Sequence, residues 1–289
     1  MLFLGHLKAV VISQEVAVEG IADTLDFIDR VTSIGNKVYI IISEKEQGKS
    51  FLSTESPLVT LPSLYLNNYF QADQKMGRTK DVKIFEYLRD SSKISAASTI
   101  PLVKTFENKL DIEGLAVLQD HKFVTKLVEK EVPISQLLKE KEIIDMNDTI
   151  QIEQDGSLER LSLARINLHA TIKHDKTTPV HFTVKVHGKG KIIEVPRGNS
   201  SKSFIKQVEK QFNEELKKDI ESTILKMQQV NVEPWLLGYS LWVEDKTYYS
   251  SLKWAESGFR NAVFDIEVDF KVDSTGQRGI FNKKIIESQ

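Results

Sequence analysis

Phe264-Asp265-Ile266-Glu267-Val268-Asp269-Phe270-Lys271-Val272-Asp273 alternates apolar and charged residues without a break. A β-strand sends successive side chains to opposite faces, so it sorts this pattern into one buried face and one wet face. Two more stretches share the period. Ile166, Leu168, Ala170 and Ile172 alternate with Arg165, Asn167, His169, Thr171 and Lys173, and Val180, Phe182, Val184 and Val186 with His181, Thr183, Lys185 and His187. Gly188-Lys189-Gly190 reads as a hairpin turn into a third strand, Ile192 to Val195. Before the final strand, Phe204, Val208, Phe212, Leu216, Ile220 and Ile224 recur every fourth residue behind a cap at Ser200, Ser201 or Ser203. That spacing predicts a helix from Phe204 to Gln229, about 39 Å long at ~1.5 Å per residue. Leu236 to Val243 reads as a strand and Ser250 to Ala262 as helix-compatible. The second half is therefore α+β, an antiparallel sheet packed on one long helix.

The first half opens differently. Ala9 to Ile12 is a short apolar run, Ser13 is a cap, and Ile21, Leu25 and Ile28 repeat at helical spacing before Gly35-Asn36. Val38 to Ile42 is a buried strand, so the opening is βαβ-like, with a parallel pair and a crossover helix. From Ser50 to Ser91 the pattern is helical, punctuated by Pro57 and Pro62, with Val82, Phe85 and Leu88 as a stripe behind a Thr79 cap. Ile100 to Thr105 and Leu115 to Leu118 are strands, and Gln119 to Lys122 turns the chain back through Phe123-Val124 to Leu127-Val128. Glu129 to Glu142 is charge-rich, contains Pro133 and holds one short amphipathic helix at Ile134 to Leu138. The boundary is placed there, giving an α/β unit over 1–130 and an α+β unit over 131–289.

Composition narrows function. The 289 residues carry 41 Asp plus Glu against 39 Lys plus Arg, a formal charge of −2, with no basic stripe of the kind that neutralises nucleic-acid phosphates. At 40% hydrophobic and 28% charged the chain folds, and no run approaches the ~18 apolar residues of a spanning helix. Zero cysteines exclude disulfides, thiolate nucleophiles and cysteine-based zinc sites. There is no HExxH, GxSxG, GxxxxGK[ST], strand-borne GxGxxG or calcium loop, so no catalytic, cofactor-binding or metal residue is assigned.

Three weaker clusters remain. His169, His181 and His187 share a polar strand face. If Ile172 pairs with Phe182, then Lys173 opposes His181, Thr171 opposes Thr183, His169 opposes Lys185 and Asn167 opposes His187. Interleaved lysines do not suit a metal site. Asp265, Glu267 and Asp269 stand ~6.6 to 7 Å apart along one strand, a spacing compatible with an acid and base pair. An exposed face beside a strand carrying Lys or His has the same composition. Lys189-Gly190-Lys191 leads into no helix N-terminus and suits a turn better than a phosphate grip.

The order of segments resembles the Ger(x)C family of spore-germination proteins, the lipoprotein C subunits of nutrient germinant receptors. Four stretches carry the likeness: Gly5 to Ile12 with the helix before Val38 to Ile42; Gly114 to Leu118 with Phe123-Val124 and Leu127; Gly190 to Glu194, the long helix, Met227-Gln228-Gln229 and Glu233-Pro234-Trp235-Leu236-Leu237-Gly238; and Lys253-Trp254, Phe259 and the final strand ending at Gly276. Glu233 stands where the family pattern expects Asp. The family carries a lipoprotein signal with a modified cysteine and a first domain of strands, whereas this sequence begins at what resembles the middle domain and contains no cysteine. The resemblance implies a non-enzymatic component at the outer face of the spore inner membrane, without a cofactor. Its partners would be the membrane-embedded A- and B-type receptor subunits, with membrane association through a lipid anchor. The alternative is a soluble small-molecule binding protein with a cleft between its two units.

Overall fold

The computed structural model describes residues 6–31, 34–35, 37–44, 70, 80–94, 97–106, 109–154, 156–193 and 201–275. Most of the helical stretch expected over Ser50 to Ser91 lies outside them, as do Gly5, Glu194, Val195 and Gly276.

The first sheet has the order β1-β2-β3-β4-β5. β1 (Ala9–Ser13), β2 (Tyr39–Ser43) and β3 (Ser98–Phe106) run parallel; β4 (Lys109–Gln119) and β5 (Lys122–Val128) complete it antiparallel. The parallel opening pair follows from the crossover through α1 (Gln14–Glu19) and α2 (Ala22–Arg30), which cannot return the chain as a tight hairpin. Ser13 Oγ accepts from Val16 N at 3.4 Å, the expected cap. Ile21, Leu25 and Ile28 bury against Ile12, Ile40 and Ile42, joined by Ile84 and Tyr87 of α3 (Ile84–Ser91). Asp120 and His121 take left-handed backbone angles in the tight β4–β5 turn.

The second sheet has the order β6-β7-β8-β9, from β6 (Glu142–Gln154), β7 (Ser157–Asp175), β8 (His181–Ile192) and β9 (Val263–Thr275). β6, β7 and β8 are antiparallel, and β9 adds a parallel edge. That departs from the all-antiparallel sheet expected. The connection from Ile192 carries α5 (Lys202–Val230) across the sheet, so the chain returns to β9 in the direction of β8. α5 is the predicted long helix: Ser201 Oγ caps it by accepting from Phe204 N at 3.2 Å, and Phe204, Val208, Phe212, Leu216, Ile220 and Ile224 are all buried. Its polar side chains also seal the edge of β9. Glu209 Oε1 accepts from Val272 N at 2.9 Å, and Asn213 Oδ1 from Phe270 N at 2.8 Å. An edge strand covered in this way offers fewer backbone groups to another chain.

Three local expectations are corrected. Gly188 and Gly190 lie inside β8 rather than in a turn. A Cβ on Gly188 would meet Leu168 Cδ2 at 2.4 Å, and one on Gly190 the Phe270 ring at 2.9 Å, so these glycines admit close side chains. The β7–β8 register also differs. Ile172 pairs with Val184, so His169 opposes His187, Thr171 opposes Lys185, Lys173 opposes Thr183 and Asp175 opposes His181. A shift of two residues leaves every side chain on its expected face and changes all its partners. Finally, Leu236 to Val243 is helical, as α6 (Leu237–Glu244), followed by α7 (Lys246–Ser251).

α4 (Glu131–Glu140) links the sheets. Val132, Ile134, Leu137 and Leu138 belong to one buried cluster that takes Leu115, Val117 and Leu127 from the first sheet and Leu168, Phe182 and Leu216 from the second unit. Segments 1–130 and 131–289 thus meet through buried apolar side chains.

Candidate functional site

The polar face of the second sheet gathers the residues singled out in the sequence. Parallel pairing sets Lys185 beside Glu267 and His187 beside Asp269. His181 Nε2 lies 2.9 Å from Asp265 Oδ2, Lys185 Nζ 2.7 Å from Glu267 Oε2, and His187 Nδ1 4.0 Å from Asp269 Oδ2. Asp265 and Glu267 therefore each meet a partner on the neighbouring strand, while Asp269 lies closer to Lys271 of its own strand, at 3.1 Å. The carboxylate side chains are 64%, 59% and 57% exposed, which denies them the desolvation that an acid and base pair needs. Among the described residues no three His, Cys, Asp or Glu side chains converge to hold a metal ion.

A second constellation lies at Glu233-Pro234-Trp235-Leu236-Leu237-Gly238. The Glu233 carboxylate accepts from Trp235 N and, at 3.0 Å, from Gly238 N, so it caps α6 from inside the protein. This cap is why an apolar segment forms a helix there rather than a strand. Trp235 Nε1 donates to Ser135 Oγ of α4 at 3.0 Å, and Ala97 N donates to Glu233 O at 3.3 Å. The loop thereby ties together α4, α6 and the start of β3. Burial pushes the Glu233 carboxyl up to about 7, against its backbone donors and nearby Lys141. Burial likewise lowers the Lys141 ammonium to about 8.

The third constellation is concave. A cleft of about 430 Å³ opens where β4, α4, β6, β7 and α5 meet, with Ile134, Ile143, Met146, Leu168 and Leu216 in its apolar wall. Asp111, Glu113, Glu129, Asp148 and Asp219 also line it, against a single cation, Lys130. Lys130 Nζ stands 3.7 Å from Asp148, 3.7 Å from Glu215 and 3.4 Å from Asp219. Burial lowers the Lys130 ammonium, but these three carboxylates outweigh it and leave the net shift upward. Asp148 is raised, chiefly by burial and further by Asp219 and Glu215, with Lys130 and Thr149 N opposing. Register shifts in the strands build the lining. The β3–β4 ladder passes from Gly114 to Ile112 and leaves Glu113 as the extra residue, while β6 slips against β7 on both sides of Met146. Bulges re-aim side chains in this way beside functional sites. The alternative of a cleft between the two units assigns none of these residues to it, because the bulges erase the alternation around Glu113 and Met146.

Comparison with known proteins adds family to geometry. The family model described as Spore germination B3/ GerAC like, C-terminal, matches residues 113–276, and the one described as Spore germination protein N-terminal domain matches residues 1–105. The chain belongs to the Ger(x)C family of spore-germination proteins. It is 23% identical to Spore germination protein GerQC of Bacillus cereus over 94% of this chain and 76% of that protein. Spore germination protein KC of Bacillus subtilis (strain 168) is 20% identical, with 96% and 74% covered. The crystal structure of the GerBC protein superposes with a TM-score of 0.70 at 17% identity, over 93% of this chain and 79% of that one, and so shares the fold. The stretches from Gly114 to the Lys253-Trp254 segment that carry the resemblance all fall within the matched residues.

Proposed function

We propose that this Ger(x)C protein is a non-enzymatic component of a spore nutrient germinant receptor that acts through protein-protein contacts with membrane-embedded A- and B-type subunits. The family match over 1–105 and 113–276 carries the reading. The solvated, individually paired carboxylates of β9 support it, because they resemble a contact surface more than a catalytic cleft. Its place would be the outer face of the spore inner membrane, held by a lipid anchor of the kind the family resemblance implies. No described helix is long and apolar enough to cross a membrane. We also propose a division into units 1–130 and 131–289. The 430 Å³ cleft favours a second reading, a small-molecule binding role.

The polar face of β7, β8 and β9 is the proposed contact surface. Co-purification of the chain with co-expressed A- and B-type subunits in detergent tests this. Wild type should be retained, and charge reversal at exposed Lys185 (K185E) or Glu267 (E267K) should weaken retention at least fivefold. Equal retention of both variants would remove this face from the interface, and failure of wild type to co-purify would sink the assembly reading.

A further inference from the structure

The acidic cleft beside α4 is under-compensated. Of the five carboxylates that line it, the exposed Asp111 stands 3.9 Å from Lys104, while the one lining lysine, Lys130, is shared among Asp148, Glu215 and Asp219. Glu113 adds to the imbalance: one of its oxygens meets Lys126, and Oε2 is buried without a hydrogen-bond partner. Carboxylates in an apolar cavity are costly unless a positive charge accompanies them. The cleft of about 430 Å³ lies within the ~300–1,000 Å³ range of small-molecule pockets, and its wall supplies Ile143, Met146 and Leu168 for an apolar body.

We propose that this cleft binds a small organic cation, whose ammonium group shares the Asp148 and Asp219 carboxylates with Lys130 and whose apolar part lies against the wall formed by Ile143, Met146 and Leu168. Complementarity excludes the other classes. An anion would meet five carboxylates. A neutral apolar molecule would remove water from Asp148 and Asp219 without replacing their hydration. A bare metal ion lacks a ligand set, since no three acidic or imidazole groups converge among the described residues. An amine on an apolar body satisfies the charge and the wall together. The proposal rests on the small-molecule reading of this cleft and stands independently of the assembly reading.

Isothermal titration of the full chain at low salt tests it with phenethylammonium as probe. 2-Phenylethanol and 3-phenylpropionate serve as probes of the same shape that are neutral and anionic. The expected result is saturable binding of phenethylammonium at least tenfold tighter than 2-phenylethanol, with no heat from 3-phenylpropionate. Asp148→Asn should weaken phenethylammonium about tenfold, and Asp219→Asn, on another element, should do the same. Asp26→Asn, an exposed carboxylate on α2 away from the cleft, should change nothing, which separates the cleft from general attraction to an acidic protein. Thermal melts confirm that each variant folds. Equal affinity for ammonium and alcohol, no saturable ammonium binding at millimolar concentration, or unchanged affinity in both cleft variants would each overturn the proposal. So would binding of a basic peptide such as acetyl-Phe-Lys-Phe-amide without binding of phenethylammonium, which would make the cleft a protein-docking socket.

Discussion

Gly238→Ala should destabilise the protein although it replaces a glycine within a helix. Propensity favours the change by at most about 1 kcal/mol, because alanine loses less backbone entropy in α6. Packing opposes it. A Cβ at Gly238 would stand 2.1 Å from Trp254 Nε1, 2.5 Å from Cδ1 and 2.9 Å from Cε2. These are ring atoms of a side chain only 2% exposed, held edge-on to Phe182 at 6.1 Å and tilted on Phe259 at 5.7 Å. The ring cannot give way without disturbing both neighbours, so the overpacking cost belongs near the upper end of the usual range, about 3 kcal/mol. The net expectation is a loss of about 2 kcal/mol. Urea unfolding followed by tryptophan fluorescence should show a lower midpoint at unchanged slope. In a cycle with Trp254→Leu, the two changes should be favourably coupled, because the smaller side chain removes the clash. A neutral or stabilising Gly238→Ala would refute the close approach and leave propensity as the only effect.

Glu233 and Lys141 give a pH signature. With a folded value of about 7 against an ordinary 4.5, Glu233 holds a proton that the unfolded chain releases, so its contribution falls as pH rises through that window, by about 3 kcal/mol at ~1.36 kcal/mol per unit. Lys141, lowered from 10.5 to about 8, makes stability rise again between those values, so urea midpoints should pass through a minimum near pH 7 to 8. Glu233→Gln should flatten the acid side of the minimum. Asp90, 7% exposed, is pushed up by burial but held down to about 2 overall by Lys139, which joins α4 to α3, and by Arg89. Its contribution, about 2 kcal/mol, is present above pH 3.8 and fades as pH falls toward 2; Asp90→Asn should remove about that much at pH 7, read as a lower urea midpoint. The ladder on β8 and β9 should matter little to folding, because exposed pairs contribute roughly 0–1 kcal/mol; Lys185→Glu should therefore shift the midpoint barely while altering partner retention.

Strand period and helix stripe were legible because each is local. Phe264 to Val272 and Phe204 to Ile224 carry their periods within one element, and Ser13 and Ser201 cap helices a few residues away. β6 was not legible, because its slips around Met146 break the alternation that marks a half-buried strand. Nor was the helical state of Leu237–Glu244, which depends on a carboxylate made acceptable in the interior by three backbone donors.

The polar face of β7 to β9 was readable as a face, and the complement of Asp265 and Glu267 as Lys or His. Which lysine or histidine serves each one depends on the parallel β8–β9 pairing. The cleft lies furthest from the sequence: Glu113, Asp148 and Asp219 come from β4, β6 and α5 and share no spacing. By itself the sequence determined the period, the amphipathic faces and the helix caps, because those depend on backbone geometry over a few residues. Only the tertiary structure decided strand direction, register, the state of the Glu233 loop and the acidic cleft, because each depends on the path by which distant segments return to one another.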